Sequence, residues 1–198
     1  IRTKKAVLVS DPKFSLIGFK DLVVKDAFEL ATEERFALNS ESARLLIEGP
    51  GEYEVADFSI RGTPAQHHLD TESDVLTSTI YRIEVGEARI ALLGNIADKL
   101  SEDQLEALGV VDIAILPIGG GGYTLDATAA ASVVRQVDPR LVIPVHYADK
   151  GLKYEVPQDA LNTFVSELGA PVETVPKYKL KAMSAIAPIL TIVEITRS

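Results

Sequence analysis

The chain has 198 residues, 46% hydrophobic and 25% charged, as in a soluble globular protein, and we expect residues 1–198 to form one domain. Its formal net charge of -9 disfavours a nucleic-acid partner, because phosphate binding needs a basic surface. The chain has no cysteine, which excludes disulfides and thiolate ligands, and no run of about 18 apolar residues that would predict a membrane span.

Short strands and turns are predicted near the amino end. Residues 6–10 form a continuously apolar run that favours a buried strand. Residues 11–40 mix charges with scattered apolar positions and predict no clear element. A second apolar run, at residues 43–47, leads into a Gly-Pro-Gly turn at residues 49–51. Residues 52–62 alternate loosely between polar and apolar side chains, which indicates a hairpin.

The middle of the chain predicts a loop followed by a second hairpin. Residues 63–77 are polar, contain His67 and are expected to be exposed. Residues 78–85 and 88–93 have the composition of two strands. Gly86 opens the two-residue connection between them, which favours a type II′ turn.

Two helices are marked by their ends. Ser101 and Gln104 fit a capping box, and the helix that they start is expected to end near Gly109. A second helix is predicted over residues 157–168, where apolar side chains recur at helical spacing before Gly169.

Residues 112–147 contain the pattern most typical of a functional site. An apolar strand at residues 112–118 is followed by four glycines at residues 119–122, by a helix that ends at Asp138, and by an apolar strand over residues 141–147. The second strand carries His146 at its carboxyl end. Open α/β sheets bind ligands at the carboxyl ends of their strands, so His146 is the first candidate for chemistry.

Strands at residues 172–175 and 188–195 complete the prediction. Strand pairs followed by alternating strands and helices favour an α/β (α+β) fold in which helices cover a mixed sheet.

The glycine run is not followed by Lys-Ser or Lys-Thr, which excludes a P-loop. Thr124 or Asp126 is instead expected to cap the helix that follows the glycines.

Four segments of the chain resemble the metallo-β-lactamase superfamily, in particular small metal-dependent hydrolases similar to L-ascorbate-6-phosphate lactonase. They are Gly-Pro-Gly-Glu-Tyr-Glu-Val at residues 49–55, Ile-Arg-Gly-Thr-Pro at residues 60–64, the glycine-loop block at residues 116–126, and Pro-Val-His-Tyr at residues 144–147. The resemblance implies a four-layer αββα sandwich, with two mixed sheets packed face to face and helices outside. It also implies two metal ions and hydrolysis of a small ester, lactone or phosphoester.

Strands that usually open such proteins would precede residues 6–10. We therefore expect the amino-terminal strands of the fold to be missing from this sequence. Their absence would leave one sheet with an exposed edge, which is an association hazard.

The resemblance fails at the first group of metal ligands. Active relatives carry a His-x-His-x-Asp-His motif at the place of residues 11–16, where this chain has Asp-Pro-Lys-Phe-Ser-Leu. Asp11 still offers a carboxylate oxygen, whereas Ser15 stands where the family has an aspartate. The dinuclear site that the resemblance implies is therefore incomplete.

Three further ligand positions follow from the resemblance. His67 matches a family histidine, and Asn95 replaces an aspartate that bridges two metals in active relatives. His146 matches the histidine of the Pro-x-His-Tyr motif. The alternative interpretation is that His67 is a polar loop residue and His146 a structural histidine at a strand end. A catalytic zinc needs about three protein ligands, and only the two histidines are strong ones.

Two functions are therefore predicted. In the first, the protein has lost its dinuclear metal site and is a non-catalytic binding or assembly module. In the second, it is a metal-dependent hydrolase of a small ester, lactone or phosphoester with a reduced site around His67 and His146. Asp11 or another acidic residue would complete this site, which would hold one zinc or manganese ion.

The sequence does not decide whether the partner is a small molecule or a protein, and it is compatible with a homo-oligomer. Tyr123, Thr124 and Tyr147 lie beside the predicted site, where they either line a pocket or pack against neighbouring side chains. Without a signal-peptide pattern, the default location is cytoplasmic.

Overall fold

The computed structural model describes residues 1–68, 78–122 and 124–197, and its strands form two sheets. The small sheet has three parallel strands: β1 (Leu8–Ser10), β2 (Phe28–Ala31) and β3 (Leu45–Glu48). Strand β2 is central in this sheet, although its residues lie in the stretch for which the sequence predicts no clear element. Residues 1–3 cover part of the outer edge of β1, where the Ile1 amino group donates to the carbonyl of Leu8 at 2.7 Å.

The large sheet has eight strands: β4 (Gly51–Val55), β5 (Phe58–Ala65), β6 (Ser78–Val85), β7 (Ala88–Leu93), β8 (Ile113–Pro117), β9 (Leu141–Val145), β10 (Val172–Val175) and β11 (Thr191–Ile195). Their order is β10-β11-β9-β8-β7-β6-β5-β4. Strands β4 to β7 form an antiparallel meander, and β7, β8, β9, β11 and β10 are parallel. The predicted mixed sheet is confirmed.

Three α-helices accompany the sheets: α1 (Glu102–Leu108), α2 (Ala127–Val137) and α3 (Leu161–Leu168). The capping box of Ser101 and Gln104 is confirmed, and α1 ends before Gly109 as predicted. Asp126 caps α2 by accepting from the amide of Ala129 at 2.8 Å. Three short 3-10 turns complete the regular elements of the described residues, at Phe14–Ile17, Glu34–Phe36 and Met183–Ala185.

Two hydrophobic cores lie on opposite faces of the large sheet. Alternate residues of a strand point to opposite faces, so Ile80 of β6 packs beneath the helices and Tyr81 packs between the two sheets. All three α-helices contribute to the core on the outer face. The predicted α/β class and the packing of two sheets face to face are confirmed, whereas the division into one domain stays a prediction. None of the helices in the described ranges is long and apolar enough to cross a bilayer.

Candidate functional site at the strand ends

The candidate site lies where strands of the two sheets end side by side. Asp11 follows β1, Thr32 follows β2, Asn95 follows β7 shortly after the strand ends, and His146 follows β9. The two sheets approach closely here because Gly94 has no side chain. A Cβ atom at Gly94 would lie 2.6 Å from Cβ of Thr32. Glycine is therefore required for the strand ends to meet.

Asp11 is held by Thr32. Its Oδ1 accepts from the Thr32 amide at 2.8 Å, and the Thr32 hydroxyl lies 3.1 Å from Oδ1 and 3.0 Å from Oδ2. Burial raises the pKa of the Asp11 carboxyl to about 6, partly offset by these hydrogen bonds. The backbone of Asp11 has a φ of 46°, a left-handed conformation that aspartate tolerates better than most residues. The carboxylate is thus engaged in joining β1 to β2.

His67 and Asn95 are in direct contact. Nδ2 of Asn95 lies 2.8 Å from Nε2 of His67, and an isolated bridge between His67 and Ile96 holds the two segments together. Asn95 is 4% exposed, and its Oδ1 is buried with no hydrogen-bond partner in the described part of the chain. Two of the four predicted ligand positions are therefore adjacent, with the amide of Asn95 facing the imidazole.

An arginine that the sequence did not point to lies between Glu33 and His67. Nε of Arg35 lies 2.6 Å from Oε2 of Glu33, and its Nη2 lies 3.4 Å from Nε2 of His67. Glu33 is buried, and its Oε1 lies 3.5 Å from the same His67 nitrogen. The charge of Arg35 also acts on Asp11 and on His146. One guanidinium therefore contacts His67 and also influences the electrostatics of Asp11 and His146.

His146 is screened by an aromatic ring. It stacks on Tyr154 with 4.5 Å between the ring centroids and 23° between the planes. Burial, and to a smaller extent the charge of Arg35, lowers the pKa of His146 to about 4. Its imidazole is therefore neutral near pH 7. Burial likewise raises the pKa of the Tyr154 hydroxyl to about 12.

The glycine loop packs against the segment before α3. A Cβ atom at Gly119 would lie 2.2 Å from Oε1 of Gln158 and 2.4 Å from the His146 carbonyl, so only glycine fits. Thr124 is 2% exposed, and its amide donates to Gly120 at 3.2 Å. Tyr147 packs against the core beneath the helices. Tyr123 lies outside the described residues, and the binding roles of all three predicted residues stay predictions.

Glu33, Arg35 and Tyr154 are the site residues that sequence reasoning missed. Glu33 and Arg35 follow the carboxyl end of β2, which is the position where α/β sheets place functional groups. Recognising β2 would have drawn attention to both. Tyr154 lies in a loop after β9, and nothing in its spacing indicates a contact with His146.

The donor set does not fit the metal centre that the resemblance implies. Among residues 1–68, 78–122 and 124–197, no group of three or more histidine, aspartate or glutamate side chains is placed to hold a metal ion. A catalytic zinc site needs about three such ligands and an open position. The Asp11 carboxylate is bonded to Thr32, and a cationic guanidinium lies beside His67.

A comparison with protein families identifies the family of the chain. Residues 24–146, more than half of the chain, match the family model described as the beta-lactamase superfamily domain. The chain belongs to this superfamily. The match includes β2 to β9 together with the candidate residues Arg35, His67, Asn95 and His146.

Parts of the chain are similar in sequence to curated proteins named metal-dependent hydrolases. The chain is 34% identical over 99 residues to a UPF0173 metal-dependent hydrolase of Thermococcus onnurineus, covering 49% of this chain and 44% of that protein. It is 46% identical over 46 residues to the UPF0173 metal-dependent hydrolase Ta0764 of Thermoplasma acidophilum, covering 22% of this chain and 20% of that protein. The matched stretches thus span less than half of either relative.

Solved structures confirm the fold. A protein of Thermotoga maritima, described as a proposed Zn-dependent hydrolase of the metallo-beta-lactamase superfamily, superposes with a TM-score of 0.70 at 21% identity. The superposition covers 96% of this chain and 90% of that protein. A proposed metal-dependent hydrolase of Parabacteroides distasonis gives a TM-score of 0.53 at 17% identity, covering 88% and 79% of the two chains. The metallo-β-lactamase-like sandwich is therefore established for this chain.

Proposed function

We propose that this superfamily member is a non-catalytic binding or assembly module whose polar side-chain network replaces the dinuclear metal centre. The observation that supports the proposal is the position of Arg35. Its guanidinium lies 3.4 Å from the imidazole of His67, which is a predicted metal ligand, and is paired with Glu33. Arginine keeps its positive charge at any pH that a protein tolerates.

Electrostatics makes this arrangement unfavourable for a metal ion. A divalent cation about 4 Å from a guanidinium is repelled by roughly 8 kcal/mol at an effective dielectric constant of 20, before the opposing charge of Glu33 is counted. Asn95 adds no charge to offset this repulsion. Displacing Arg35 would in turn leave the buried carboxylate of Glu33 without its partner.

Most of the side chains that a metal would bind already have hydrogen-bond partners within the network. The amide of Asn95 reaches Nε2 of His67, and Thr32 holds both oxygens of Asp11. These contacts give the strand ends a defined geometry without an ion. The proposed role of the domain is then to present surfaces to a partner.

The predicted alternative, a metal-dependent hydrolase of a small ester, lactone or phosphoester with a reduced site, draws support from the names of the curated relatives. It would require Arg35 to move away from His67 and a third ligand to join His67 and His146. The two functions therefore differ in whether the purified protein binds a stoichiometric metal ion.

Metal analysis of protein purified without chelators separates the two functions. We expect well under one equivalent of zinc, manganese or iron, and no saturable heat of binding when zinc or manganese is titrated. One equivalent of metal that is lost in both His67→Ala and His146→Ala would overturn the proposal. His68→Ala is the matched control, because this neighbouring histidine is not part of the network. The same preparations are assayed for hydrolysis of ester, lactone and phosphoester substrates.

A further inference from the structure

Strand β4 forms one edge of the large sheet and has a neighbour on one side only within the described residues. It pairs with β5 through a two-residue connection, in which Val55 faces Phe58 and Ala56 has a φ of 55°. This edge lies on a different part of the fold from the candidate site. None of the candidate-site residues lines the groove beside this edge, so binding here does not require a metal ion at the site.

The register of this hairpin determines which backbone groups face outward. A two-residue hairpin connection is closed by a hydrogen-bonded pair, and such pairs alternate with non-hydrogen-bonded pairs along an antiparallel ladder. Val55 and Tyr53 are thus bonded to β5. Glu52 and Glu54 direct their N–H and C=O groups to the open edge, and no backbone hydrogen bond joins either residue to another described segment.

The side chains on this edge are sorted by face. Tyr53 and Val55 are half-buried and pack against the core between the sheets. Glu52 and Glu54 are exposed on the opposite face, where they line a groove of about 530 Å³ together with Glu106 of α1. The edge is therefore apolar on one face and acidic on the other.

The arginines in the groove already have partners. Arg82 pairs with Glu84 at 2.7 Å, Arg89 with Asp112 at 2.8 Å, and Arg61 with Glu52 at 3.4 Å. Glu54 and Glu106 have no ion pair among the described side chains, so the charge left for a partner is negative. A cationic partner would complement this groove.

We propose that the β4 edge binds an extended segment of a partner protein that carries lysine or arginine at alternate positions and apolar residues between them. Such a segment would join the sheet as a ninth strand, using the outward backbone groups of Glu52 and Glu54. Its basic side chains would lie across from these two glutamates, and its apolar side chains would cover Tyr53 and Val55. Opposite charges on facing strands stabilise their pairing.

A second copy of this chain fits the edge poorly. Two β4 strands that paired antiparallel would bring Glu52 and Glu54 of one copy against the same residues of the other. Like charges directly opposite on paired strands are destabilising. The acidic edge thus disfavours self-association and favours a basic partner.

The test uses the whole chain and a synthetic octapeptide of alternating lysine and valine. An isomeric peptide with its lysines and valines in two blocks is the charge-matched control, and an alternating glutamate and valine peptide is the charge-reversed control. Binding is followed by NMR shifts, and strand addition by hydrogen exchange of the Glu52 and Glu54 amides. We expect the alternating basic peptide to bind and to slow exchange at these two amides. The two control peptides should not slow it.

A second experiment reverses the charge of the edge. The double variant Glu52→Lys/Glu54→Lys should bind the basic peptide about tenfold more weakly and should now bind the glutamate peptide. Glu87→Lys/Glu155→Lys makes the same change in net charge at exposed positions away from the edge and should bind like the wild type. If the first variant does not fold, Glu52→Gln/Glu54→Gln replaces it.

Several outcomes would overturn the proposal. The alternating peptide could fail to bind, or the block peptide could slow amide exchange as much as the alternating one does. Both charge-reversal variants could bind the peptide equally weakly, or the peptide could slow exchange only at amides outside β4. Each of these results would contradict strand addition at this edge. Hydrogen exchange at the Glu52 and Glu54 amides could instead slow with rising protein concentration and without peptide. This result would show that the edge binds a second copy of the chain.

Discussion

Nη2 of Arg35 lies 3.4 Å from Nε2 of His67, although the two residues follow strands of different sheets. Arg35 belongs to the 3-10 turn after β2, and His67 follows β5. Glu33 fixes the arginine through contacts of 2.6 Å to Nε and 3.3 Å to Nη2. The pair therefore joins the small sheet to the large one and brings a cation beside His67, one of the predicted metal ligands.

The first prediction concerns this pair. Arg35→Ala should lower the free energy of unfolding by about 1–3 kcal/mol, because it leaves the buried carboxylate of Glu33 without a charged partner. Glu33→Gln/Arg35→Ala should recover part of the loss, since no buried charge remains. Urea unfolding at pH 7 measures both.

Arg61→Ala is the control for this prediction. Arg61 pairs with Glu52 at 3.4 Å, but the two side chains are 55% and 77% exposed. Exposed pairs contribute about 0–1 kcal/mol. Equal losses in Arg35→Ala and Arg61→Ala would show that the Glu33 pair is not specially stabilising.

Gly94 provides the second prediction. A Cβ atom at this position would lie 2.6 Å from Cβ and 2.7 Å from Oγ1 of Thr32, so Gly94→Ala must push the two strand ends apart. Overpacking of this kind costs about 1–3 kcal/mol. The displacement should also shift the NMR signals of the Asn95 side-chain amide and the His67 ring. Unchanged stability together with unchanged signals would show that the close approach of the strand ends does not depend on glycine at this position.

Much of the fold could be predicted because its strands are short, apolar and bounded by clear turns. The hairpin around Gly86 follows from the turn chemistry, and α1 follows from the capping box of Ser101. Strand β2 could not be predicted. It has four residues and carries Glu29, whose side chain is buried although its charge is typical of the surface.

The site residues could be predicted only where they follow a strand that the sequence itself reveals. His67, Asn95 and His146 follow recognisable strands, and the resemblance to a known family pointed to each of them. Arg35 follows β2, a strand that the sequence did not reveal, and Tyr154 lies in a loop whose spacing gives no signal. The character of the site therefore depends on residues whose positions only the fold reveals.

The third prediction concerns Tyr81, which joins the two sheets beneath the site. Its buried hydroxyl donates to the carbonyl of Ala31 at 2.9 Å and lies 3.3 Å from that of Gly49. Tyr81→Phe should lower the free energy of unfolding by about 1–2 kcal/mol, because the buried carbonyl of Ala31 and the partly buried carbonyl of Gly49 lose the hydroxyl that they share. Tyr178→Phe is the control, since the described residues include no hydrogen-bond partner of its hydroxyl. A larger loss in the control would contradict the role assigned to Tyr81.

The last prediction is a pH dependence centred on Asp112 at the start of β8. This carboxylate is 1% exposed and accepts from Nε of Arg89 at 2.8 Å and from Nη2 at 2.9 Å. These hydrogen bonds from Arg89, opposed by burial, hold the pKa of Asp112 below its usual range. The stabilisation is therefore complete above the unfolded-state pKa of about 4 and is lost as the pH falls through the lower folded-state value.

Asp112→Asn tests this dependence. At pH 7 the variant should be less stable by about 2 kcal/mol, because the hydrogen bonds to the guanidinium lose their charge. The difference from the wild type should stay constant from pH 7 to about 5 and shrink toward pH 2 as the wild-type carboxyl becomes protonated. Denaturant midpoints measured across this range give the result, with the exposed Glu87→Gln as the control expected to show no such trend. A difference that grows on acidification would reverse the sign and refute the role assigned to the Arg89 pair.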